Sequence, residues 1–119
     1  MRALLSHKLT RALAVIATII LIIVIAHLSL SPAADVPAPQ VSDKVKHFAA
    51  YFVLAGTLAT AFGPKRGIYA LIVAILYGLA MEVAQDMGDA GREGSIADAL
   101  ANTAGAACGV LAAKLLRRN

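Results

Sequence analysis

The chain has no tryptophan, only three tyrosines and three phenylalanines, a single cysteine, and charge at just 15% of its 119 positions. So little charge excludes an ordinary soluble domain, in which about a quarter of residues are charged. The shortage of aromatic side chains also argues against a large water-excluding core of the soluble kind. One cysteine excludes an internal disulfide; Cys108 lies in an apolar stretch and is expected to be a small core residue. Neither HExxH nor CxxC occurs, so no metal and no other cofactor is expected. Internal repeats, low-complexity tracts and alternating strand patterns are missing as well.

What is present is hydrophobic sequence, 60% of the chain, gathered into four stretches. The first, residues 12–30, contains no Asp, Glu, Lys or Arg. As a helix it spans roughly 28 Å, enough for a hydrocarbon core of about 30 Å. A cleaved signal peptide is the rival reading, but such apolar regions usually run about 7–15 residues, and retention is expected. Residues 31–43, SPAADVPAPQVSD, hold three of the four prolines and should form an extended linker. A second span, 43–62, starts behind Ser42, a plausible N-cap. The turn GPKRG (63–67) leads to a third span, 68–85, and the glycine-rich DMGDAGREG (86–94) leads to a fourth, 95–116. The expected fold is therefore all-α: a polytopic four-transmembrane-helix bundle, with residues 1–11 as a basic N-terminus and 12–119 as one membrane domain.

Charge orients the bundle. Arg2, Lys8, Arg11, Lys65, Arg66, Lys114, Arg117 and Arg118 fall on one side of the spans. All seven carboxylates (Asp35, Asp43, Glu82, Asp86, Asp89, Glu93 and Asp98) fall on the other, with only Lys44, Lys46 and Arg92. Cations collect on the cytoplasmic side of membrane proteins, so both termini are expected there, N-in and C-in. The basic pI of about 9.6 is then explained by the anionic inner leaflet, and no nucleic acid is expected as a partner.

Span direction brings the polar residues to one depth near the outer surface: His27, His47, Tyr51, Glu82, Gln85, Asp98 and Asn102. Asp43, His47 and Tyr51 recur at i, i+4 on the second helix. Glu82 and Gln85 share a face of the third, and Asp98 and Asn102 a face of the fourth, with Ser95 one turn earlier. A carboxylate at mid-membrane costs roughly 2.5–3.5 kcal/mol, so Glu82 should face the bundle and find a partner. Arg92, in the adjoining loop, is the expected partner of Glu82 or Asp98. Plainer readings stand beside these. Ser95-x-x-Asp98 resembles a capping box, Asp43 suits a helix N-terminus, and His27 is best explained as interfacial. No nucleophile motif surrounds Ser95, and the inner half of the bundle holds too few ionisable groups for a transport path. Gly105 and Gly109 form a GxxxG expected to pack the fourth helix within its own bundle.

Three blocks of this chain together resemble the VanZ-like family of small bacterial membrane proteins. The first is SDKVKHFAAYFVLAG, with Asp43, Lys44, His47, Phe48 and Tyr51; the second is YGLAMEVAQ, with Glu82 and Gln85. The third, GREGSIADALANTAGAACG, holds Gly91, Arg92, Ser95, Asp98, Asn102 and Gly105. The resemblance implies the plasma membrane of a bacterium and an envelope role, the founding member being linked to teicoplanin resistance. It implies no biochemical mechanism. On this basis His47, Glu82, Arg92 and Asp98 are the candidate reactive groups, with Asp43, Lys44, Tyr51, Gln85, Ser95 and Asn102 as binding residues. The expected partners are membrane lipid and a lipid-linked or glycopeptide-type ligand. Lys44 and Arg92 would grip an anion, Glu82 and Asp98 orient them, and His47 exchange a proton. The alternative is a non-enzymatic scaffold whose polar cluster only locks the helices.

Overall fold

Each apolar stretch forms one helix, and the caps stand where the polar residues put them. The computed structural model describes residues 2–88, 91 and 93–117, with side-chain surroundings from residue 7 onward. The helices are α1 (Arg2–Leu30), α2 (Asp43–Phe62), α3 (Gly67–Met87) and α4 (Ile96–Arg117). Ser42 Oγ accepts from Val45 N at 3.3 Å and starts α2. Gly63, at φ 99°, ends it in a conformation costly to other residues. All four helices are long and apolar enough to cross a membrane, α1 from His7 onward.

The helix ends fall within two residues of expectation except at the start of α1, and the linker also differs. The first helix begins at Arg2 rather than at residue 12, because residues 2–11 contain neither proline nor glycine and nothing stops the helix. The linker is not extended throughout, since Pro32 opens a 3-10 turn, Ala33–Asp35. Asp35 N donates to Pro32 O at 2.9 Å, and a second turn places Val41 N on Ala38 O at 3.0 Å. The linker thereby bends back over the end of α1.

Neighbours in sequence run antiparallel, so α2 and α4 run parallel, as do α1 and α3. Tyr77 Oη on α3 donates to Ile22 O on α1 at 2.5 Å, and Gln85 Nε2 to Ser29 O at 2.9 Å. The α2–α4 seam is the closest. A Cβ added at Gly105 would overlap the carbonyl oxygen of Phe48, and one at Gly109 that of Phe52. The GxxxG therefore packs α4 against α2 inside the bundle, where small residues let backbones approach. Cys108 is off that stripe and exposed, which corrects the core assignment: an apolar run in a membrane protein does not mark an interior.

Small side chains fill the interior. Ala55, Ala59, Ala70, Ala74 and Ala106 have no exposed surface, and among the described residues Leu54 is the largest side chain that is almost fully enclosed. Large apolar residues point outward instead, as Leu13, Ile16, Ile19, Ile20 and Ile23 do along α1. In water such a surface would aggregate; in hydrocarbon it meets its own kind. Thr18 Oγ1 bonds both Ala14 O at 2.8 Å and Thr57 Oγ1 at 2.9 Å, joining α1 to α2 at mid-span.

The two ends differ in chemistry. Where α1 and α3 end and α2 and α4 begin lie the carboxylates; we call this the acidic end. At the opposite, basic end, Arg11 Nε donates to Ala61 O at 3.1 Å and Arg117 Nη2 to Ala59 O at 2.6 Å. Two guanidinium groups thus tie α1 and α4 to the carbonyls that close α2, where the helix dipole favours a cation.

Candidate functional site

At the acidic end the first turns of α2 and α4 and the last turns of α3 bring His47, Glu82, Asp98 and Asn102 together. Glu82 and Asp98 are each 8% exposed and Asn102 only 2%, so these polar groups depend on one another rather than on water. Gly78 makes the room: a Cβ there would meet Tyr51 Cε2 at 3.1 Å and Asn102 Nδ2 at 3.2 Å.

His47 is the centre. Its Nδ1 lies 2.7 Å from Asn102 Oδ1 and 3.9 Å from Glu82 Oε1, and its Nε2 lies 3.8 Å from Asp98 Oδ2. With Nδ1–H donated to the amide oxygen, Nε2 is the ring atom that can take or release a proton, and it faces a carboxylate. Asn102 Nδ2 is buried and has no hydrogen-bond partner among the described residues. Lys44 Nζ sits 2.6 Å from Asp98 Oδ1, and its side chain is 53% exposed. The lysine therefore reaches from solvent into the cluster.

The expected partner of Glu82 and Asp98, Arg92, lies outside the described residues. Within them, both carboxylates are already engaged. Asp98 holds Lys44, and Glu82 Oε2 accepts Ser95 N at 2.9 Å across the α3–α4 loop. This alters the capping box. Ser95 Oγ does accept from Asp98 N at 3.0 Å, but the Ser95 N–H is satisfied by Glu82 from the neighbouring helix. Asp98 has one methylene fewer than the Glu a capping box uses, and its carboxylate turns to Lys44. Asp86, one turn beyond Glu82, accepts Gly94 N at 2.6 Å and holds the same loop. No motif along the chain singles out Asp86.

His47, Glu82 and Asp98 also form a group whose ligand atoms lie within 4.8 Å of one another, the right types for a divalent cation. They sit on three helices, a convergence in space that local ligand motifs do not reveal. Lys44 on Asp98 and Ser95 N–H on Glu82 already use one oxygen of each carboxylate.

Beside the cluster opens a cavity of about 300 Å³. His47, Tyr51 and Gln85 form its polar side, Asp43 and Lys46 its rim, and Ile25, Leu28, Val36 and Val41 its apolar wall. The wall comes from the end of α1 and from the bent linker, neither of which the spacing of polar residues could identify. The i, i+4 stripe of Asp43, His47 and Tyr51 does face this cavity, whereas Ser95 and Asn102 belong to the cluster behind it. His27 is exposed, in keeping with an interfacial residue.

No curated protein and no solved structure matches this chain. The model of the VanZ/LLP1 family matches residues 5–117. The match covers nearly the whole chain and all four helices, and the chain belongs to that family.

Proposed function

We propose that the protein is a multi-pass component of the bacterial plasma membrane, with both termini cytoplasmic, that binds the polar head of an amphipathic ligand at its outward end. The orientation rests on the charge partition: Lys and Arg crowd the end opposite the carboxylates. The observation that carries the binding reading is the cavity that joins His47, Tyr51 and Gln85 to a wall of Ile25, Leu28, Val36 and Val41. A site with one polar and one apolar side suits a lipid headgroup or a lipid-linked, glycopeptide-type molecule. The glycopeptide class enters by family resemblance alone, and a resistance role would follow from it. In this reading Lys44 and Arg92 attract an anionic group, Asp98 and Glu82 orient them, and His47 Nε2 exchanges a proton with the ligand or with Asp98.

A second reading has its own support. Glu82, Asp98, His47 and Lys44 all find partners inside the protein, which is what a purely structural lock requires. The test separates abundance from function. Glu82→Gln, Arg92→Gln and Asp98→Asn are scored for membrane level and for glycopeptide and envelope-stress susceptibility, against a deletion strain with a clear phenotype. Normal levels with deletion-like susceptibility support a working site. Susceptibility that only follows protein level makes the cluster a lock.

A further inference from the structure

The basic end carries a second cavity, about 570 Å³ in volume, with a different chemistry. Lys65, Lys114 and Arg117 rim it, and Ile68, Leu71 and Val110 line it. Arg117 is fixed by its bond to Ala59 O. Among the described residues neither Lys65 nor Lys114 forms an ion pair. Among the described residues every Asp and Glu lies between residues 35 and 98 and toward the acidic end, away from both lysines.

A further feature adds to this local excess of positive charge. Helix α3 starts at the cavity behind Arg66 without a side-chain cap, so the positive end of its dipole is unneutralised there. Lys65 has φ 71°, a left-handed conformation that glycine or asparagine adopts at less cost. The apolar lining decides between ligands. Ile68 is 58% exposed, and with Leu71 and Val110 it offers a surface that inorganic phosphate cannot use but an acyl chain can.

We infer that this cavity is a binding site for an anionic phospholipid of the leaflet at the basic end. The phosphate sits between Lys65, Lys114 and the start of α3, and an acyl chain lies along Ile68, Leu71 and Val110. Basic pockets between transmembrane helices recognise acidic headgroups in this way. The site is at the far end from the His47 cluster and does not rest on the reading proposed for that cluster.

The test titrates delipidated full-length protein in detergent with phosphatidylglycerol or phosphatidylcholine and reads bound lipid by native mass spectrometry. Lys65→Asn with Lys114→Gln removes two charges from the rim, the asparagine suiting the left-handed backbone. Lys8→Gln with Arg66→Gln removes two from the same end outside the lining. Each lysine at an anionic lipid is worth roughly a factor of five, so the rim pair should weaken phosphatidylglycerol binding about 25-fold. The control pair should change it by less than about twofold, and phosphatidylcholine should not respond to either. Lys114→Gln alone, on an exposed last turn, should give about a fivefold loss and covers the case in which the double variant misfolds. Equal losses in both pairs, or none in the rim pair, would overturn the site. Displacement of phosphatidylglycerol by equimolar inorganic phosphate would overturn the lipid as its occupant.

Discussion

Adding one methyl group at Gly109 should unseat α4 from α2, while the same change at Gly56, on the facing helix, should be harmless. A Cβ at Gly109 would overlap Phe52 O and come within 3.1 Å of Gly56 N, both backbone atoms that no rotamer change can move aside. To restore an ordinary van der Waals separation of about 3.5 Å, the helices must part by well over about 1 Å. A gap of that size forfeits more than about half of the dispersion attraction between the atoms it separates. In lipid no hydrophobic force between helices offsets this loss. Overpacking of this kind costs roughly 1–3 kcal/mol, and the upper end applies to a backbone clash. A Cβ at Gly56 would instead lie 3.5 Å from Gly109 O, in ordinary contact. Alanine there keeps the packing and gains about 0.5–1 kcal/mol of helix propensity. The two variants should thus differ by about 3 kcal/mol, more than a hundredfold in the unfolding constant. Reversible unfolding in mixed micelles, followed by circular dichroism, measures both. Equal stability of Gly56→Ala and Gly109→Ala would refute the parallel α2–α4 seam.

Substitutions at two other positions probe the acidic end and the lipid face with the same assay. Glu82→Gln keeps an acceptor for Ser95 N–H and should cost about 1 kcal/mol, the difference between a charged and a neutral hydrogen bond. Glu82→Ala also removes the cap and the packing of the side chain and should cost about 2–3 kcal/mol, so equal losses would mean that Glu82 does not hold the loop. Cys108→Phe should change stability by less than about 0.5 kcal/mol, because its side chain leaves the bundle; a loss of several kcal/mol would return Cys108 to the interior.

The four helices were legible because hydrophobic length and charge are properties of single stretches of chain. Residues 43–62 matched the second helix at both ends, since Ser42 and Gly63 mark them by local backbone chemistry. The depth of the polar residues was legible too, because direction alternates from span to span. Pairing was not. The expected partner Arg92 lies outside the described residues, and the pair they do hold, Asp98 with Lys44 across 54 positions, is one that no spacing along the chain announces. Which cation reaches which carboxylate depends on helix rotation, and helix faces are poorly marked where apolar residues run almost all the way round. For the same reason Cys108 could not be placed from its neighbours. Arg11 and Arg117, assigned to the leaflet by their charge, also close the end of α2, a role visible only once the helices are side by side.

The closest seam in this bundle joins the second helix to the last. Nothing upstream of residue 95 can complete it, and the partners of Lys44 and His47, Asp98 and Asn102, come with the same helix. Polar side chains waiting at a membrane surface mark an unfinished protein. A chain ending before α4 would leave Lys44 and His47 without these partners. Arrival of α4 supplies Gly105 and Gly109 to the backbone of α2 and acceptors to Lys44 and His47. Assembly of the polar cluster thus depends on the one helix that is made last of the four.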